Sequence, residues 1–198
     1  MIRNKIINEM QKGNNGISLE RFIDICLYNS DGYYVSAKPI GKLGDFITAP
    51  EISQLFGEIL ALYIFHLWHE KLKNKFNLIE LGPGNGTLLV DILRITKSLS
   101  NFHNCLDIHL IEKNAYLKEI QKKELYKNKF DNLNVIWHED IAKIDKKPSI
   151  IIANEFFDCL PIRQFQNKDN RWHEKIINYD RIKKNFFYQN LPVNENKL

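Results

Sequence analysis

The stretch of this 198-residue sequence best suited to chemistry is a glycine-rich turn that follows a short apolar run. Residues 78–88 read LIELGPGNGTL, which places Gly82, Gly84 and Gly86 at alternate positions. Glycines accept positive φ angles and let a ligand approach the backbone closely. An apolar strand, a glycine turn and a helix in this order are typical of the first crossover in a Rossmann-like sheet, where nucleotides bind.

Glu80 indicates which nucleotide such a turn would accept. It stands two positions before the first glycine, and the Gly-x-Gly-x-Gly spacing differs from the Gly-x-Gly-x-x-Gly of dinucleotide-binding proteins. A carboxylate at that point would repel a pyrophosphate, whereas it would attract an ammonium group. S-adenosylmethionine carries an ammonium and a sulfonium and has no phosphate. The pattern therefore favours S-adenosylmethionine over a nicotinamide cofactor.

Two further acidic residues follow later strand-like runs. Glu112 closes the apolar run 107–112, where a carboxylate can accept hydrogen bonds from both ribose hydroxyls. Asp140 follows the run 134–138, where an acid can receive the adenine amino group. Either one alone could be a surface carboxylate at a strand end. Their order at consecutive strand ends predicts a cofactor site.

The elements that would position these residues alternate between strand and helix. Apolar runs at 77–81, 107–112, 134–138 and 149–153 are separated by helical patterns that begin at 87 and cover 115–126. This alternation predicts an α/β fold, with a parallel Rossmann-like sheet and helices on both of its faces. Strand-like runs at 162–166 and 171–177 and a polar tail follow.

Residues 1–75 are predicted to form a helical segment ahead of the sheet domain, 76–198. Ser18 can cap a first helix, residues 32–50 form a loop rich in glycine and proline, and Glu51 opens a second helix that runs to about Leu72. The apolar run from Phe56 to Trp68 has 13 residues, which is too short to cross a bilayer, so it is predicted to be a buried helix. His66, His69 and Glu70 match no zinc-binding helix motif, and no metal site is predicted.

Composition excludes several classes of protein. The hydrophobic fraction of 44% can fill a core, so the chain is not disordered as a whole. The net charge of +4 comes from scattered lysines and not from a basic stripe, which argues against a nucleic-acid partner. Three widely spaced cysteines and an N-terminus without a signal-peptide core predict reduced thiols and a cytoplasmic location.

Two segments on either side of the glycine turn carry a family resemblance. GKLGDFITAPEIS at 41–53 and NEFFDCLP at 154–161 resemble motifs of the MidA-like methyltransferases, and the similarity runs in order from about Gly16 to Glu174. This family includes a mitochondrial complex I assembly factor that methylates arginine. The resemblance implies a class I S-adenosylmethionine-dependent methyltransferase. The substrate that it implies is a protein arginine on the large NADH dehydrogenase subunit.

The resemblance also assigns roles residue by residue. It places Glu80 and the three glycines in the cofactor loop and makes Glu112 the ribose acid. The residues that would cover the cofactor are Asp45, Thr48 and Glu51, and those that would face the acceptor are Asn154, Glu155 and Asp158. A carboxylate can hold a guanidinium through two parallel hydrogen bonds, which makes Glu155 the first candidate for that task. Asp158 is the second, with the cap of a following turn as its alternative role.

Members of this family are longer than 198 residues, so the sheet is expected to be incomplete at its C-terminal side. Three explanations stay open: a split-gene product whose partner supplies the remaining strands, a degenerate remnant, or a cofactor-binding module without turnover. A non-enzymatic assembly or interaction protein is the main alternative function. A nicotinamide oxidoreductase is a third, opposed by the glycine spacing.

Overall fold

The computed structural model describes residues 2–12, 16–36 and 48–193. Besides a π-helical turn at Trp68–Leu72 and 3₁₀ helices at Ile141–Lys143 and Phe157–Cys159, the elements in chain order are α1 Ile2–Lys12, β1 Ile17–Ser18, α2 Leu19–Tyr28, α3 Tyr33–Ser36, α4 Ala49–Ile52, α5 Gln54–Leu67, β2 Phe76–Leu81, α6 Thr87–Thr96, α7 Ser100–His103, β3 Leu106–Ile111, α8 Ala115–Lys127, β4 Val135–His138, β5 Ser149–Ile152, β6 Phe165–Lys168, β7 Arg171–Asp180 and β8 Asn185–Pro192.

These elements belong to two compact units. One unit joins Met1–Ala37 to Cys159–Leu198, and the other is Lys38–Asp158. The domain division at residue 75 stays a prediction. The two compact units have different bounds.

The unit 38–158 contains a parallel sheet with the strand order β4-β3-β2-β5. All six residues of β2 are buried, as befits a central strand. One face of the sheet packs on α5, α6 and α8 around a core that includes Phe76, Leu78 and Leu110. The predicted α/β class with a Rossmann-like sheet is therefore confirmed.

The opposite face of this sheet is exposed at its edge strands among the described residues. Ile136 on β4 is 40% exposed and Ile151 on β5 is 53% exposed. Ile151 pairs with Ile79, and Ile136 pairs with His109. Paired residues point to the same face of a sheet and successive residues alternate between faces, so both isoleucines lie on the face opposite the core. The connection from β4 to β5 contains only the short 3₁₀ helix at 141–143. In the described part of the sheet, β4 and β5 are the two edge strands.

The other unit contains an antiparallel sheet, in which β7 pairs with β1, β6 and β8. Helices α1 and α2 contribute Ile6 and Ile25 to its core, against Ile17 and Ile177 from the sheet. The strands predicted at 162–166 and 171–177 are present with shifted bounds, at 165–168 and 171–180. The predicted polar tail was wrong over 185–192, which forms β8.

The N-terminal prediction needs two corrections. The single helix expected from Glu51 to Leu72 is interrupted at Ser53, which has an extended backbone, and it changes to a π-helical turn at Trp68. The expected loop over residues 32–50 contains α3 and the start of α4, while residues 37–47 of it lie outside the described part. No helix among the described residues is long and apolar enough to span a membrane.

Candidate functional site

The residues predicted to bind the cofactor meet at the carboxyl edge of the parallel sheet. The Gly82 N–H donates to the Ile111 carbonyl at 3.1 Å, and the Glu112 N–H donates to the His138 carbonyl at 2.9 Å. These bonds extend the ladder past the strand ends and align the residues that follow β2, β3 and β4. Open α/β sheets bind ligands at this edge, beyond the carboxyl ends of their strands.

The glycine turn uses the backbone freedom that only glycine provides at low cost. The φ angles of Gly82, Gly84 and Gly86 are +62°, +55° and +83°. A Cβ on Gly82 would lie 2.7 Å from Cδ2 of Phe156, which comes from the segment after β5. Gly86 stands directly before α6 and provides no side-chain cap, so the first N–H groups of the helix face the turn. The turn thus presents backbone to a ligand on one side and packs on Phe156 on the other.

Glu80 is the most unusual residue of the site. It is 4% exposed on β2, and its Oε2 atom has no hydrogen-bond partner in the described structure. Burial raises the pKa of this carboxyl to about 8. A buried carboxylate without a partner is costly, because it has lost its hydration shell and gained nothing in return. The residue therefore fits a cationic ligand, and the ammonium group of S-adenosylmethionine meets that requirement.

Glu112 is held in place by two donors. Its Oε1 accepts from the Asn114 N–H at 2.8 Å, and its Oε2 accepts from the Gln121 side-chain amide at 3.4 Å. Burial raises the pKa of Glu112, and these hydrogen bonds oppose the rise. The carboxylate is thus oriented by its neighbours and retains further lone pairs that can accept hydroxyl protons.

Gln121 is a site residue that the sequence did not reveal. It is 1% exposed on α8, and its Nε2 donates to the Gly84 carbonyl at 2.7 Å as well as to Glu112. Its Oε1 accepts from the Trp137 indole N–H at 2.7 Å. One side chain therefore joins the glycine turn, the predicted ribose acid and β4. A sequence signal did exist, because Gln121 stands midway between the buried Leu117 and Leu125 on the inward stripe of α8.

Replacing Gln121 by leucine should weaken binding of a nucleoside ligand about 10–100-fold, since a hydrogen bond to a charged group contributes about 1.5–3 kcal/mol. Isothermal titration with S-adenosylhomocysteine measures this. The control is Lys123→Leu, an exposed position of the same helix. If Gln121→Leu lowers thermal stability but leaves affinity unchanged, Gln121 is only a structural residue.

Glu51, which was expected to cover the cofactor, accepts hydrogen bonds from the glycine turn and from the start of α6. Its Oε1 accepts from the Thr87 hydroxyl at 2.7 Å and from the Asn85 amide at 3.3 Å. Thr48 stands at the N-cap of α4 without a side-chain capping bond. Asp45 lies outside the described residues. The structure thus ties Glu51 to the glycine turn, and a cover over the cofactor stays a prediction.

Asp140 has a local structural task. Its Oδ1 accepts from the Ala142 N–H at 2.9 Å and so caps the 3₁₀ helix at 141–143. The side chain is exposed at the end of β4, next in order to Glu112 along the sheet edge. Contact with an adenine amino group stays a prediction.

The predicted acceptor residues follow β5. Asn154 is half-buried, whereas Glu155 and Asp158 are exposed. Glu155 has a φ of +47°, in the left-handed region that non-glycine residues rarely occupy. Such strain persists where surrounding structure enforces it, and it often marks functional sites. Asp158 lies inside the 3₁₀ helix at 157–159, and its role stays a prediction.

Comparison with known proteins identifies the family. Residues 59–198 match a family of S-adenosyl-L-methionine-dependent methyltransferases. The chain belongs to this family. It is 36% identical over 190 residues to both the bovine and the human "Protein arginine methyltransferase NDUFAF7, mitochondrial", and 38% identical over 168 residues to the zebrafish protein of that name. The bovine and human matches cover 85% of this chain and 43% of the relative; the zebrafish match covers 75% and 40%.

Solved structures support the fold. A Burkholderia thailandensis protein bound to S-adenosyl-homocysteine superimposes with a TM-score of 0.79 at 22% identity, over 97% of this chain and 50% of that one. A native structure, also from Burkholderia thailandensis, gives a TM-score of 0.78 at 21% identity, over 99% of this chain and 49% of that one. This chain therefore spans about half the length of the proteins that it matches.

Membership of the family settles several predictions. The MidA-like resemblance and S-adenosylmethionine as the family's cofactor are confirmed. The predicted cytoplasmic location is contradicted by the relatives, which are named as mitochondrial proteins. The described residues hold no cluster that could bind a metal ion. The individual site residues are tested by none of these comparisons and stay predictions.

Proposed function

We propose that this chain binds S-adenosylmethionine at the carboxyl edge of its parallel sheet and functions in protein-arginine methylation. The observation that carries the proposal is the buried Oε2 of Glu80 beside the glycine turn, which has no hydrogen-bond partner among the described residues. S-adenosylmethionine supplies an electrophilic methyl group on a sulfonium. The protein has to hold this cofactor, orient the acceptor and exclude water.

Each site residue has a task that suits its chemistry. Glu80 pairs with the ammonium group, and the backbone from Gly82 to Gly86 accommodates the adjoining part of the ligand. Glu112 accepts hydrogen bonds from the ribose hydroxyls. Gln121 and the Asn114 N–H already fix the orientation of its carboxylate. Asp140 at the next strand end receives the adenine amino group.

The proposed acceptor is an arginine side chain, since the relatives are named protein arginine methyltransferases. A guanidinium is planar and cationic, and the Glu155 carboxylate can hold it through two parallel hydrogen bonds. Asn154 and Asp158 flank that position. The large NADH dehydrogenase subunit is the proposed protein substrate, on the strength of the family resemblance.

Ligand preference tests the proposal. The chain should bind S-adenosylhomocysteine at least 10-fold more tightly than NAD, because a carboxylate at Glu80 attracts an ammonium and repels a pyrophosphate. Gly84→Val should abolish this binding, since a branched residue is strained at the φ of +55°. Lys146→Val, at an exposed position, is the control. Tighter binding of NAD would overturn the proposal.

Proton exchange on binding tests the role of Glu80 directly. The pKa of the buried Glu80 is about 8, so this carboxyl is mostly protonated at pH 7. It has to ionise in order to pair with an ammonium, and binding at pH 7 should release close to one proton. At pH 9 Glu80 is mostly ionised, whereas part of the free ligand's amino group is neutral. Binding there should take up a fraction of a proton, opposite in sign to the exchange at pH 7.

Calorimetry in buffers of different ionisation enthalpy measures this exchange. Methylthioadenosine, which keeps the nucleoside but lacks the amino acid tail, should exchange no protons with the same protein. Proton exchange that is equal for the two ligands would remove Glu80 from the ammonium site.

A further inference from the structure

An apolar stripe runs along the outer side of α4 and α5. We call it the outer stripe. Its six members are each more than a third exposed: Ile52 at 74%, Leu55 at 58%, Phe56 at 38%, Ile59 at 59%, Leu62 at 58% and Tyr63 at 57%. The opposite side of α5 is the one that enters the core, through Gly57, Ala61 and Ile64. The apolar run from Phe56 to Trp68 predicts a buried helix, and that prediction holds for the inner side alone.

The outer stripe carries no charge. Between residues 52 and 67 the only acidic or basic side chain besides His66 is Glu58, and it is paired with Arg94 at 3.0 Å. Solvated helix faces are normally rich in charged residues, and loss of charge is typical of the centre of an interface. Six large apolar side chains in one patch expose an area on the order of several hundred Å². That exceeds ordinary surface scatter and approaches the ~800 Å² that each partner gives to a standard interface.

The spacing of the outer stripe is self-complementary. When two copies of α5 pack antiparallel with a two-fold axis at Ile59, Leu55 of one copy stands level with Tyr63 of the other. In the same register Phe56 is level with Leu62, and Ile59 meets its own symmetry mate. Every apolar member of the stripe within α5 thus meets an apolar member of the second copy. A two-fold interface requires this match of one surface with itself.

We propose that the outer stripe is a homodimer interface, occupied by the same stripe of a second copy of this chain. The two α5 helices pack antiparallel across a two-fold axis at Ile59. Glu58 remains with Arg94 of its own chain, so no buried charge is left unpaired. This inference does not depend on the proposed methyl transfer.

Analytical ultracentrifugation tests the proposal. The chain should sediment as a dimer of about twice 23.4 kDa, and Ile59→Lys should give a monomer, because it places two ammonium groups on the axis. Ile182→Lys is the matched control: Ile182 is 93% exposed in the turn between β7 and β8, outside the stripe. This variant should remain dimeric. Circular dichroism checks that both variants are folded.

Disulfide trapping tests the register. Under mild oxidation Ile59→Cys should form a covalent dimer, because the two Cβ atoms meet at the axis. Leu55→Cys alone should not cross-link, whereas Leu55→Cys combined with Tyr63→Cys should. A monomeric chain overturns the proposal and assigns the stripe to a different occupant. A dimer that survives Ile59→Lys, or equal cross-linking at 55 and 59, overturns it as well.

Discussion

Glu80→Gln should abolish binding of S-adenosylhomocysteine and at the same time stabilise the ligand-free chain. The loss of affinity should be about 100-fold or more, because truncating one side of a buried charge pair costs about 2–5 kcal/mol. The gain in stability has a separate cause. Oε2 of Glu80 is buried with no partner among the described residues. The unfolded glutamine variant gains nothing from ionisation at pH 7, whereas the unfolded form of the unchanged chain does.

The sign of the stability effect follows from the pKa of Glu80, which is about 8 in the folded chain and about 4.3 in an unfolded one. Below about pH 4 the carboxyl is protonated in both states and costs nothing. As the pH rises from 4 to 8, the unfolded state gains from ionisation and the folded state does not, so folding stability falls. At pH 7 the loss is on the order of 3 kcal/mol.

Thermal melts and calorimetry of the same samples check both halves of this prediction. The apparent Tm of Glu80→Gln should exceed that of the unchanged chain by about 5–10 °C at pH 7, and by little at pH 4.5. Glu119→Gln, an exposed change on α8, should alter neither property. Retained affinity, or a lower Tm at pH 7, would show that the carboxylate has a different partner.

The second large effect concerns turnover. The chain spans 43% of the length of the bovine and human relatives. In the described sheet β5 is an edge strand, and its residue Ile151 is 53% exposed. We expect methyl transfer by this chain alone to be at least 100-fold slower than in the presence of the part of a relative outside the matched 190 residues. A displacement of reacting groups by ~1 Å can have an effect of this size.

Transfer of a tritiated methyl group to an arginine-containing substrate measures the difference. In the complemented enzyme, Glu155→Gln should keep cofactor affinity and lose turnover, because an amide cannot hold a guanidinium through two charge-assisted hydrogen bonds. Glu139→Gln, an exposed glutamate after β4, is the control. Full activity of the chain alone would refute the need for a partner segment. Binding with no turnover under any condition would favour the non-enzymatic alternative.

The parallel sheet was predictable because the patterns that indicate its strands and helices each lie within a short stretch of sequence. Each β strand is a short apolar run, each following helix has its own periodicity, and alternation of the two allows few topologies. The glycine turn was equally visible, since positive φ at positions 82, 84 and 86 requires a residue type that the sequence shows directly. The antiparallel strand at 185–192 was missed because most of its residues are exposed, so it lacks the alternation of apolar and polar residues that marks a half-buried strand. It is stabilised by pairing with β7. A turn capped by Asp180 connects the two strands.

The sequence by itself determined the order of the strands along the chain, the acids at their ends and the family to which the motifs belong. Tertiary structure decided which of those acids is unusual. Glu80, Glu112 and Asp140 are all acidic residues at strand ends, yet their surroundings differ. Oε2 of Glu80 is buried with no partner among the described residues, Glu112 is oriented by Gln121, and Asp140 caps a turn. Burial and hydrogen bonding depend on neighbours distant in the chain. A short stretch of sequence does not show which residues those neighbours are. The same reason explains the outer stripe, where an apolar sequence indicated a buried helix and only the fold showed that one side of it is exposed.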